Sequence, residues 1–202
     1  MPLSPKVRVS TEGAIHGNGT ALDKEVAGRG WFAAEDIKEG EVIWFMESWL
    51  EDKDSQPGIF VNMETIKSWP QEKQDQFWEL GYQCGDDLFH GFPSDVELDE
   101  EGKKAIQENY VNHTCDGNAW YISDNELVAL RDIKKGEEIA YDYALTECHE
   151  AFRLNCRCGT SKCRGTVTGD DWKLPELQQR YGRHFLPHIL AKIDAAQPQP
   201  AQ

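Results

Sequence analysis

Residues 156–165 read Cys-Arg-Cys-Gly-Thr-Ser-Lys-Cys-Arg-Gly, the densest run of sulfur in the chain. Three thiols fall within eight residues, and Gly159 and Gly165 allow the tight turns that bring them together. The pattern matches thiolates gathered round a tetrahedral zinc ion. Three ligands leave one place, for which Cys84, Cys115, Cys148 and His149 are the candidates. A fourth thiolate would close the site and make the metal structural rather than catalytic. The N-terminus, Met1–Gly13, carries no apolar secretory stretch. Six cysteines in such a chain point to an intracellular, reducing compartment, where thiols bind metal or stay free.

Upstream of this run, residues 118–143 read as three strands, NAWYI, ELVAL and EEIAYDY, with turns at Ser123-Asp124-Asn125 and Lys134-Lys135-Gly136. The last ends with Tyr141 and Tyr143 on one face and Asp142 between them. Before it lies Asn109-Tyr-Val-Asn-His-Thr-Cys115, whose Asn, His and Cys resemble the parts of a thiol protease. Such partners converge from distant positions, so adjacency argues against that chemistry. Gly28-Arg-Gly-Trp-Phe-Ala33 satisfies the letters of a dinucleotide fingerprint. No buried strand precedes it, however, and Gly40 ends any following helix too early for a βαβ unit.

Residues 6–10 and 41–46 also read as strands, joined by a Gly-containing loop over 11–30. Ala34–Ile43 aligns with Leu130–Ile139 at six identical positions of ten, which predicts one strand–turn–strand device used twice, with Gly40 and Gly136 at the turns. From Met63 to Leu80 the pattern predicts short helices broken at Pro70. Residues 81–101 read as an acidic loop, and a short helix follows near 101–108. After Trp172, apolar residues recur at Leu177, Tyr181, Phe185 and Ile189, a helix docked on the core that Pro187 should kink or divide. The tail, AAQPQPAQ, reads as disordered.

The chain of 202 residues, 39% hydrophobic and 10% aromatic, can bury a core. No apolar run approaches the ~18 residues of a membrane span. The net charge of −15 disfavours direct binding to a nucleic-acid backbone and favours a cationic partner.

Taken in order, GRGWFA…DIKEGEVI, NYVNHTC, GEEIAYDY and CRCGTSKCRG resemble a SET domain followed by a post-SET motif. SET proteins are mostly protein-lysine methyltransferases that use S-adenosyl-L-methionine. The likeness runs from about Lys6 to Gly165, with an unmatched insert at about 47–105. It implies a mainly β SET fold: short curved sheets, a threaded, knot-like C-terminal segment, a zinc-bound post-SET loop and a C-terminal helix. The implied units are a SET domain over 6–144, a post-SET zinc motif over 152–168, a helical segment over 170–194 and a disordered tail over 195–202.

The same resemblance implies a structural Zn2+ on Cys115, Cys156, Cys158 and Cys163, leaving Cys84 and Cys148 free. It assigns cofactor contacts to Arg29, Gly30, Trp31, Asn112 and His113, and makes Trp172 the aromatic cover of cofactor and lysine channel. Tyr143 falls on the catalytic tyrosine at the channel bottom, and Tyr141 on the position that tunes product degree, implying mono- or dimethylation. Three departures stand out: Trp44-Phe45-Met46-Glu47 where a channel tyrosine is usual, Asn109 where Arg is common, and Tyr82-Gln-Cys-Gly85 as an approximate YxG. The expected partner is a lysine-containing, basic protein or peptide, histone or non-histone, with neither nucleic acid nor membrane. The alternative is a catalytically weak SET module that binds a peptide or protein.

Overall fold

The structure, a computed structural model, describes residues 3–14, 28–47, 50, 51, 53–55, 57–93, 95, 97–107 and 109–196. Most of the expected 11–30 loop and residues 197–202 of the tail therefore lie outside the described residues. In chain order the elements are β1 (Val7–Ser10), β2 (Gly30–Ala33), β3 (Val42–Phe45), β4 (Ile59–Val61), α1 (Met63–Ser68), α2 (Gln71–Trp78), β5 (Tyr82–Gly85) and β6 (Leu88–Gly91). There follow α3 (Glu100–Gln107), β7 (Asn112–His113), β8 (Ala119–Ser123), β9 (Glu126–Ala129), β10 (Glu138–Tyr141), β11 (Arg153–Asn155), β12 (Thr166–Thr168), α4 (Pro175–Tyr181) and α5 (Pro187–Ala196).

The strands form small sheets ordered β1-β2-β10-β7, β3-β9-β8, β4-β6-β5 and β11-β12. This mainly β architecture agrees with the SET fold expected from the motifs. β10 is wholly buried. It pairs antiparallel with β2 through Ile139 and Trp31, and parallel with β7 through Tyr141 and His113. The motif-bearing segments thus meet along one strand.

The two copies of the strand–turn–strand device lock together. Ile37 and Ile133, both fully buried, exchange backbone hydrogen bonds of 2.9 and 2.8 Å. Each turn places its glycine at positive φ, +80° for Gly40 and +86° for Gly136, where a side chain would be strained. The main core gathers Trp31, Ile43, Leu127, Ile139, Tyr141 and Leu145 with the apolar faces of α4 and α5. A separate small core under the insert packs Ile66, Phe77 and Phe89.

Two expectations are corrected. Residues 81–101 are not a plain loop: β5 and β6 form a hairpin that turns at Asp86-Asp87, and β4 completes the sheet. Asp86 and Asp87 make the turn, where the Asp87 carboxylate accepts from the amide of Met63 at the start of α1 (2.9 Å), and the other acids of the stretch follow β6. Tyr143 does not extend β10; it opens a 3-10 turn over Tyr143–Leu145 that Asp142 caps by accepting from the Ala144 amide at 3.1 Å. The C-terminal segment is divided into two helices, as expected at Pro187. Gly182, at φ +55°, ends α4, and Pro187 opens α5 at a position where its missing N–H costs nothing. Phe185, between them, still faces the core.

Candidate active site

The β11–β12 hairpin carries the cysteine loop at its tip, closed where the Cys156 amide donates to Gly165 O at 2.7 Å. There the sulfurs of Cys156, Cys158 and Cys163 meet that of Cys115, which follows β7, all within 4.8 Å of one another. Zn–S bonds of about 2.3 Å at tetrahedral angles set sulfurs about 3.8 Å apart. The Cys115–Cys156 and Cys163–Cys156 sulfur separations are 3.7 and 3.8 Å. Amides of Arg164 and Cys158 point at Cys115 and Cys156 sulfur, each at 3.4 Å. The donor set and spacing therefore fit a structural zinc ion. Of the four candidates for the remaining place, the fold brings only Cys115 to the cluster. Burial pushes the Cys84 thiol up to about 12 and that of Cys148 up to about 11, so both stay neutral.

A buried ion-pair network latches this loop to the end of β10. The Arg164 guanidinium grips both Asp142 oxygens at 2.6 Å and donates through Nε to Asp171 at 2.7 Å. The Tyr181 hydroxyl donates to the same fully buried Asp142 carboxylate at 3.1 Å. Burial acts to raise the Asp142 pKa, but the Arg164 fork outweighs it and holds the carboxyl below its usual range.

Beside the latch lies a cavity of about 130 Å3 walled by aromatic side chains, among them Trp31, Tyr82, Tyr121, Tyr141, Tyr143 and Phe152. Tyr141 and Tyr143 approach to 5.2 Å between ring centroids. The Tyr143 hydroxyl donates to Val111 O at 2.8 Å, and its amide donates to His113 Nδ1 at 3.1 Å. Asn112 Nδ2 donates to Arg29 O at 2.6 Å and to Glu138 at 2.9 Å, tying the entrance of β2 to β7. Gly30 permits this closeness: a Cβ there would sit 3.0 Å from Asn112 Nδ2. Arg29, Gly30, Trp31, Asn112 and His113 are thus brought together. Two buried donors on the cavity wall, Trp31 Nε1 and Asn109 Nδ2, have no hydrogen-bond partner among the described residues. A polar ligand such as S-adenosyl-L-methionine fits a wall with such orphaned donors.

Trp172 is not brought to this wall. It lies in the main core with Leu177 and Tyr181, because the turn it occupies is anchored by Asp171 to Arg164. Phe152 lines the cavity instead. Sequence reasoning also missed Tyr82, Tyr121 and Glu147 as cavity residues. Tyr82 sits in the approximate YxG and Tyr121 in the NAWYI strand, so both carried a faint signal; Glu147 carried none. No described residue of the acidic stretch 86–101 lines the cavity, and its Asp95 pairs with Lys73 at 2.6 Å.

Comparison with known proteins adds an independent observation. Residues 28–144, more than half of the chain, match the family model for the SET domain. The chain is 32% identical over 81 residues to the histone-lysine N-methyltransferase ASHH2 of Arabidopsis thaliana, covering 37% of this chain and 5% of that protein. It is 34% identical over 101 residues to the H3 lysine-9 specific enzyme dim-5 of Neurospora crassa, covering 40% and 30%. Against ASHH3 of Arabidopsis thaliana the identity is 26% over 181 residues, covering 85% and 44%. The chain therefore matches less than half the length of each of these relatives. No helix among the described residues is long and apolar enough to cross a membrane.

Proposed function

Because this chain belongs to the SET-domain family, we propose that it is an intracellular, S-adenosyl-L-methionine-dependent protein-lysine N-methyltransferase with a structural zinc. The observation that carries this reading is the aromatic cavity lined by Tyr141 and Tyr143, whose backbone pairs with the Asn112–His113 strand behind it, beside the cysteine cluster. Arg29, Gly30, Trp31, Asn112 and His113 would hold the cofactor, which supplies a methyl group on a sulfonium. Cys115, Cys156, Cys158 and Cys163 would hold the zinc, fixing the post-SET loop over 152–168 against the SET body over 6–144, with 170–194 as a packing segment. The substrate is a lysine-bearing, basic segment of a histone or another protein.

Lysine at its ordinary pKa of ~10.4 is protonated and cannot attack. An aromatic, water-poor channel disfavours the ammonium and moves it toward the neutral amine. Tyr143, held between Val111 O and His113, orients that amine for in-line displacement, a positioning effect that accounts for much of the rate. The Tyr141 hydroxyl, 3.3 Å from Thr146 Oγ1, narrows the space for a second or third methyl group and favours mono- and dimethyl-lysine.

The test is incubation with labelled S-adenosyl-L-methionine and cell extract, beside a Tyr143→Phe variant. Labelled lysine is expected with the wild type and about 100-fold less with the variant, with cofactor binding retained by calorimetry. Mass spectrometry should return mono- and dimethyl-lysine. Cofactor binding without any label would overturn the enzyme in favour of a binding module.

A further inference from the structure

Glu147 is a poor candidate for a structural carboxylate. It lines the aromatic cavity with only 4% exposure, whereas the other two carboxylates on that wall, Glu79 and Asp124, are exposed or half-buried. The Gln83 amide donates to one of its oxygens at 3.1 Å. The other lies 3.6 Å from His149 Nε2. His149 is itself sandwiched among aromatic rings, stacked on Trp78 at 5.1 Å, and burial pushes it down to about 4, so it is neutral. Among the described residues no lysine or arginine forms an ion pair with Glu147. Ionising a buried acid that has no cation beside it is costly unless a ligand supplies one.

We propose that Glu147 receives the primary ammonium group of the substrate lysine and takes its proton, which rests on the methyl-transfer reading above. The remaining groups facing it are Tyr82 and Cys84 on β5, Tyr121 on β8, Tyr141 on β10 and Cys148, all uncharged, while the cation among the cavity's lining residues, Arg153 on β11, donates to the carbonyls of Glu150 and Phe152. None competes for a cation. In the step, one N–H bond of the ammonium breaks and an O–H bond forms on Glu147. The N–H electron pair becomes the amine lone pair that attacks the methyl carbon. Burial also pushes Glu147 up to about 8, much nearer to lysine at ~10.4 than an exposed acid would be. The proton transfer is correspondingly less uphill. The carboxylate thus makes the cavity selective for a cation, a task that residues 86–101 do not perform from outside its wall.

The test compares full-length wild type with Glu147→Gln, whose amide oxygen can still accept from Gln83. The first probe is n-butylammonium, a mimic of the lysine side chain, with n-butanol as neutral control. Binding is read by calorimetry. Glu147→Gln is expected to weaken butylammonium at least about 10-fold and to leave butanol unchanged. Equal loss of both probes, or loss of neither, overturns the proposal. With a lysine peptide, the variant should lose about 100-fold in kcat/KM at pH 8.5, above the Glu147 value of about 8, and recover as the pH approaches that of free lysine titration. A loss that is the same at every pH overturns the proton-accepting role. A wild type that binds butylammonium through Glu147 yet transfers no methyl would overturn the methyltransferase reading and leave this recognition site standing.

Discussion

The two copies of the strand–turn–strand device fold alike and end differently. Lys38 pairs with Asp132 at 2.7 Å, and Lys134 pairs with Asp36 at 2.8 Å. The Gly40 amide donates to Ala129 O and the Gly136 amide to Ala33 O, both at 2.8 Å. Each copy therefore completes the other through equivalent contacts. Beyond the turns the likeness stops. The first copy leads into Val42–Phe45, an edge strand whose Val42 and Phe45 are exposed. The second leads into Glu138–Tyr141, buried between two neighbours, and then into Asp142 and Tyr143. The device is a scaffold that two equal halves build, while the candidate site takes Tyr141 and Tyr143 from the exit of one half and only Trp44 from the exit strand of the other. Repetition in sequence marks the frame, and the departure from repetition marks the chemistry.

The largest way to separate the halves is to truncate a matching pair of residues just past the two exit strands. Asp142→Ala leaves the half-buried Arg164 with Asp171 alone and is expected to destabilise the fold by about 3 kcal/mol in urea unfolding. Met46→Ala, at the matching place in the first copy, should cost well below that, since Met46 is half-buried beside the edge strand. Similar losses would mean that the latch contributes nothing special. The sign with pH follows from the depressed pKa. With the folded value below the unfolded reference of 3.8, the Asp142 contribution is complete above that pH and is lost as the pH falls through the folded pKa. A wild-type stability curve flat through this range would contradict the ion pair.

A smaller effect tests the equivalence of the turns. Gly40→Ala and Gly136→Ala meet no atom within 4 Å, so only the positive-φ strain is felt. Each is expected to cost about 1–2 kcal/mol, by the same amount in both copies. A clear inequality would show that one half carries the fold alone. The smallest effect belongs to Asp36→Asn and Asp132→Asn. These pairs are half-open to solvent, and their loss should shift the urea midpoint slightly, equally, and not at all in high salt.

Much of the frame was legible because local chemistry encodes it. Cysteine spacing with flanking glycines determined the sulfur cluster's loop, and Gly40 and Gly136 fixed the turns through backbone sterics that hold whatever surrounds them. The apolar runs of NAWYI and ELVAL, bounded by turn residues, gave strands, which pair as β8 and β9. Pro70 divided α1 from α2 as expected, for want of a backbone donor. The hairpin at β5 and β6 was hidden because its acids crowd the turn, and charge content reads as loop whether or not strands flank it. Trp172 carried the right residue type in the right order, but which way an indole faces depends on Asp171, Arg164 and the docking of α4.

The sequence by itself determined the order of motifs, the doubled turn device and the sulfur ligands' types, all of which depend on neighbours along the chain. Cys115 was assigned to the later cysteines by the motif resemblance and is brought to them by the fold, whereas only the tertiary structure decided that Glu147 is enclosed by rings from β5, β8 and β10. Burial is a sum over residues remote in sequence, and it is burial that turns an ordinary glutamate into a group able to hold a cation or a proton.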